Sequence, residues 1–124
     1  MLTPTEAARA KNRVKLFLLE YDDSVRVAYQ WLDAQITTKK KLMPTSPLNE
    51  IIQVWSGRFV AAFDVEAAAE MHPTIRGTYP KFNISSRLTL PSVLRLTGII
   101  GARTHDDLLT ADYVIKTYCR IERP

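Results

Sequence analysis

The stretch DDSVRVAYQWLDAQITTKKK, residues 22–41, places Val25, Ala28, Tyr29, Leu32 and Ile36 at i, i+3, i+4, i+7 and i+11. That spacing lines one face of an α-helix. Asp23 or Ser24 stands where a side-chain oxygen caps the first turn. The run Lys39-Lys40-Lys41 stands where a helix C-terminus favours cations. A similar stripe precedes it. In TPTE, Thr3 caps, Pro4 suits the first helical position and Glu6 completes a capping box. Ala7, Ala10, Val14, Phe17, Leu18 and Tyr21 then share a face, while Leu16 and Leu19 project from another.

A third pattern follows PTSP, with Ser46 as cap and Pro47 opening the helix. Leu48, Ile51, Ile52, Trp55, Phe59 and Ala62 continue the period toward DVEAAAEMH, where His72-Pro73 stops it. Gly57 is unfavourable inside a helix and Asp64 can start a new one, so residues 47–71 read equally as one helix or two. At the other end of the chain, Leu108, Ala111, Ile115 and Cys119 form a stripe behind a Thr104–Asp107 capping pair, with Tyr118 beside it. A short helix is expected after Pro91.

Between these lies PTIRGTYPKFNISSRLTLP, whose prolines and glycine indicate a loop. Phe82, Ile84, Ser86, Leu88 and Leu90 alternate with their neighbours as a short strand does, but no second clear strand stands out, so it pairs with the loop before it or with another molecule, or the alternation is accidental. The expected fold is therefore mainly α: a compact bundle of four to six helices in a single domain, residues 1–124, with an irregular basic loop at 72–90 that has room for one short strand. A length of 124 residues, 46% of them hydrophobic and only 4 glycine, suits one folded core.

Charge adds the first functional hint. The net formal charge is +4, but between Met71 and His105 there are five basic residues (Arg76, Lys81, Arg87, Arg95 and Arg103) and no acid. Such blocks attract phosphate, although a solvated surface accounts for them equally well. Tyr79 and Phe82 sit among these cations, an arrangement on which bases can stack.

TLPSVLRLTGIIGARTHDDLLTADYVIKTY invites comparison with a DNA-reading helix-turn-helix, and the comparison fails. With Gly98 as the turn glycine, Leu94 takes the small position and Thr104 the buried aliphatic one; with Gly101, Thr97 and Asp107 do. Asp106, Asp107 and Asp112 would also face the duplex.

Catalytic chemistry has little to work with. His72, His105 and Cys119 are too scattered for a zinc site, and no HExxH, CxxC, GxSxG or phosphate-loop motif occurs. No enzyme, cofactor or metal is expected, and Cys119 reads as an inert core thiol. One cysteine suggests a reducing, cytoplasmic setting. No secretory signal is read at the start. IIQVWSGRFVAAF, about 13 residues with Arg58 inside, is short of the roughly 20 that span a bilayer.

Two functions follow. The first is a non-enzymatic nucleic-acid-contacting subunit or accessory protein, nonspecific in sequence, that holds phosphate through Lys39, Lys40, Lys41, Arg76, Lys81 and Arg87, with Tyr79 as a stacking platform. DNA and RNA are not distinguished. The second is a protein-binding adaptor, inhibitor or assembly subunit, or a homo-oligomer. It uses an exposed apolar helix face of Leu16, Leu19, Val27 and Trp31, although core packing is the simpler account of Trp31 and Trp55.

Overall fold

The computed structural model describes residues 23–39, 47–103 and 110–122. Helix α1, Asp23–Asp33, is central. The expected stripe of Val25, Ala28, Tyr29 and Leu32 is buried, and so are Val27 and Trp31 on a second face. Water reaches only a narrow polar stripe of Asp23, Arg26, Gln30 and Asp33. A helix apolar over most of its circumference belongs inside a fold rather than on its surface.

α1 stops earlier than the apolar period suggests. Gln35 sends its side-chain amide back to the Trp31 carbonyl at 3.0 Å, occupying an acceptor that a further helical N–H would have used. The same amide group donates to the Thr89 carbonyl at 2.8 Å and accepts the Thr89 N–H at 2.9 Å. Ile36 thereby leaves the helix and is 46% exposed. Lys39 follows an extended segment rather than a helix end. Lys40 and Lys41 lie outside the described residues.

Residues 47–71 form two helices, α2 at Leu48–Ser56 and α3 at Ala62–Met71. Gly57 is the reason: it ends α2 at φ 73°, in the left-handed region, with its N–H on the Gln53 carbonyl at 2.8 Å. α2 buries Leu48, Ile51, Ile52 and Trp55, whereas Phe59 falls beyond its end and is exposed. Pro47 flanks the first helical residue, and Ser46 lies outside the described residues. The Asp64 carboxylate accepts the Ala61 N–H at 2.9 Å to start α3. Ala68, Ala69 and Val65 give α3 a small-residue face, and α1 and α3 form the principal helix pair of the fold.

The expected helical bundle is contradicted after that point: the chain forms a small mixed α/β domain with two small sheets. β1, Gly77–Thr78, pairs antiparallel with β2, Lys81–Phe82, across Tyr79-Pro80. Gly77 is held at φ 109°, and a Cβ there would lie 2.2 Å from the Lys81 carbonyl oxygen, so only glycine fits. β3, Thr89–Leu90, pairs in parallel with β4, Arg120–Ile121. An isolated antiparallel bridge joins Thr37 to Ile84. The alternation read between Phe82 and Leu90 holds in burial for Phe82 and Ile84 and then breaks, since Ser86 is exposed and Thr89 is buried beside Leu88. The segment's partners are scattered: the preceding Gly77–Thr78 for β2, the single residue Thr37 for Ile84, and the distant Arg120–Ile121 for β3.

A 3-10 helix, Val93–Leu96, follows Pro91 and is capped by Ser92, whose hydroxyl accepts the Leu94 N–H at 3.2 Å. α4, Ala111–Thr117, starts at Thr110, whose hydroxyl accepts the Tyr113 N–H at 3.3 Å. The expected Thr104–Asp107 cap and Leu108 lie outside the described residues. α4 is not a core helix: none of its residues is buried and Ile115 is 76% exposed. It ends before Cys119, which is exposed at a bend rather than buried on a stripe. Tyr113 packs partly against the core, and Tyr118 turns fully inward, accepting the Trp31 indole N–H at 3.0 Å. Native Cys119 is therefore expected to react with a thiol reagent about as fast as in urea-unfolded chain. Modification that waits for unfolding would contradict this placement.

Candidate nucleic-acid interface

Asn83 joins the two basic segments. Its carbonyl accepts the Thr38 N–H at 2.7 Å, its N–H donates to the Arg76 carbonyl at 3.0 Å, and its side-chain oxygen accepts the Arg76 N–H at 2.6 Å. Its amide nitrogen holds the Thr74 carbonyl at 3.1 Å. Ser85 donates its N–H to the Ile36 carbonyl at 2.7 Å from the other side of the bridge. The segment that leads into Lys39 and the loop that carries Arg76, Lys81 and Arg87 thus share one hydrogen-bond network.

Strand alternation then decides which side chains face water. Phe82 and Ile84 point into the core, so Lys81 and Asn83 point out, together with Arg76 opposite Asn83. Lys39, Arg76, Lys81 and Arg87 are exposed, and none forms an ion pair with an acid among the described residues. Arg120, which the sequence reading passed over, donates to the Arg87 carbonyl at 3.3 Å and brings an exposed cation from β4 to the same edge. No local signal marks it; only the β3–β4 pairing brings it there.

The remaining cations of the acid-free stretch have structural tasks. Arg103 donates to the Trp55 and Val54 carbonyls at 2.8 and 2.6 Å, closing the C-terminal end of α2. Arg95 grips Glu122 with two bonds of 2.6 Å and reaches Asp33 at 3.0 Å. Arg26 and Arg58 pair with Asp23. This division leaves Arg76, Lys81 and Arg87 as the cations with no such task among the described residues.

Tyr79 is a tether. Its hydroxyl donates to the Asn49 side chain at 2.9 Å and its ring meets Phe82 edge-on at 6.2 Å. These contacts explain its position without a stacked base. The alternative apolar face fails for half of its members: Val27 and Trp31 are both 0% exposed, packed in the core around α1. Leu16 and Leu19 lie outside the described residues.

Among the described residues, the nearest resemblance to catalytic geometry is Asp33, His72 and Thr74. His72 Nε2 lies 2.7 Å from Asp33, and the Thr74 hydroxyl lies 3.2 Å from Nδ1. Nδ1, however, also accepts the backbone N–H groups of Thr74 and Ile75 at 3.2 and 3.3 Å, which fixes it as the acceptor of a turn. Its lone pair is committed to holding backbone rather than available to take a proton from a nucleophile. The His72 hydrogen bond, aided by Arg95, holds the Asp33 carboxyl at about 2, against the burial that opposes it. A depressed folded-state value stabilises the fold fully above about pH 5, and that stability is lost as pH falls toward 2. Denaturant midpoints are expected to drop across pH 5 to 2, and Asp33→Asn to flatten that slope. An equally steep slope in the variant would contradict it.

An open groove of about 540 Å³ runs along Val114, Ile115, Tyr118, Cys119, Arg120 and Ile121, without the convergent polar groups of a small-molecule site. No helix among the described residues is long and apolar enough to cross a membrane. No protein family, curated protein or solved structure matches the chain.

Proposed function

We propose that this protein is a non-enzymatic, sequence-nonspecific nucleic-acid-contacting subunit or accessory protein of the cytoplasm. It holds phosphates through Lys39, Lys40, Lys41, Arg76, Lys81 and Arg87, extended by Arg120. The observation that carries the reading is the Asn83 junction: it links the two acid-free segments, while the other nearby arginines are occupied with ion pairs and helix carbonyls. Cations left without acids make a field that a polyanion satisfies. Among the described residues this surface offers charge and no set of base-reading side chains, which favours positioning a backbone over specifying a sequence.

Fluorescence anisotropy with labelled duplex DNA, single-stranded DNA and RNA of unrelated sequence tests this. Binding is expected to all three at 50 mM salt and to weaken by roughly one to two orders of magnitude at 200 mM, for about three to four phosphate contacts. Absence of binding at low salt, or strong preference for one sequence, would sink the proposal.

A further inference from the structure

Ile115 is 76% exposed and Ile121 is 67% exposed, and both line the groove beside Tyr118. The first comes from α4 and the second from β4, so the groove is formed where the chain turns from helix into strand. Its charged lining residue is Arg120, whose guanidinium donates to the Arg87 carbonyl at 3.3 Å. Arg120 is exposed and forms no ion pair with an acid among the described residues. One side chain therefore belongs both to the apolar groove and to the cationic edge.

We propose that the groove seats an unpaired nucleobase of a single strand whose phosphates lie on Arg87 and Arg120. The inference rests on the phosphate-holding reading above and names the form of nucleic acid that fits it best. Isoleucine walls offer a base apolar contact and nothing to its polar edge, and the Tyr118 hydroxyl is turned inward onto Trp31 at 3.0 Å. Contact is then with the flat face, which every base has, so it is tolerant of sequence. A duplex keeps its bases stacked inside and gives the groove no occupant, whereas a single strand can splay one out beside its own phosphate. Charge and size both argue against a protein in the groove. A polyanion satisfies Arg120, and six lining residues are far fewer than the roughly 20–30 a side of a stable protein interface. All three nucleic acids still bind through their phosphates, with the single strand gaining the seated base.

The test is fluorescence anisotropy of the full chain at low salt with two labelled DNA single strands of equal length, one of mixed sequence and one abasic throughout. Both carry the same phosphates. The abasic strand is expected to bind roughly five- to tenfold more weakly, the low end of what one stacked base contributes. Ile115→Ala/Ile121→Thr is expected to bring the ordinary strand down to the abasic level and to leave the abasic affinity unchanged. Both side chains are exposed, so the variant is expected to keep the parent's circular dichroism. A second readout needs no variant: a strand with a diazirine-bearing base is expected to crosslink within residues 114–121 of the parent, as read by peptide mass spectrometry. Equal binding of the two strands, a difference that survives in the folded variant, or crosslinks only elsewhere would overturn the base seat and leave the phosphate reading standing. Failure of both strands to bind would overturn the two together.

Discussion

Replacing Trp31 with alanine is expected to cost about 3–5 kcal/mol, a large part of the roughly 5–15 kcal/mol that holds a domain of this size. Trp31 is fully buried. Its removal empties the largest side-chain volume of α1 and takes away the donor that Tyr118 accepts at 3.0 Å. The Tyr118 hydroxyl is itself pushed well above its ordinary range by burial, so water does not replace the lost partner readily. Trp31→Phe keeps most of the apolar contact, loses the N–H bond and is expected to cost about 1–3 kcal/mol. Urea denaturation checks both. An alanine variant within about 1 kcal/mol of the parent would mean that the indole is not in the core, and would return Trp31 to the exposed face considered for a protein partner.

The second large effect is on binding. Arg76→Ala/Lys81→Ala/Arg87→Ala is expected to weaken association with every nucleic acid alike, by about one to two orders of magnitude at 50 mM salt, because each cation removed gives up one set of released counterions. Stability is expected to stay within about 0.5 kcal/mol, since all three side chains are exposed and unpaired among the described residues. Arg95→Ala is the informative contrast. It leaves Glu122 and Asp33 without their cation and is expected to destabilise the fold through them. A triple variant that binds as tightly as the parent would place the phosphate contacts elsewhere or nowhere.

Periodicity carried the reading well where a helix has one wet side or a hard stop. The end of α3 at His72 and the Gly57 break as one of two open choices were legible. The start of α1 was legible to within a residue or two, although Asp23 and Ser24 lie inside the helix and the Ser24 hydroxyl donates to the Phe59 carbonyl rather than capping it. It failed where a distant contact decides. Val27 and Trp31 looked off-stripe because the apolar period marks one face, and only the narrowness of the stripe through Arg26, Gln30 and Asp33 hints at a second buried one. Gln35 ends α1 by binding Thr89, 54 positions away, and nothing local announces that. Strands of two residues are too short to show a period, so pairing with the preceding loop stood only as one open choice, the Thr37 and β4 partners were invisible, and the fold was read as mainly helical. Cys119 was assigned to a stripe that the end of α4 at Thr117 cuts off. The basic loop was legible as charge alone. Which arginines are structural and which face solvent emerged only when Arg95 met Glu122 and Arg103 met the carbonyls of α2.

The salt dependence of binding to a duplex tests the central claim most directly. With about three to four phosphates contacted, a plot of log affinity against log salt is expected to fall with a slope of roughly −3 in the parent and to flatten toward zero in Arg76→Ala/Lys81→Ala/Arg87→Ala. Equal slopes in the two proteins, or a parent that binds no duplex at low salt, would contradict a phosphate-holding surface built on the Asn83 junction.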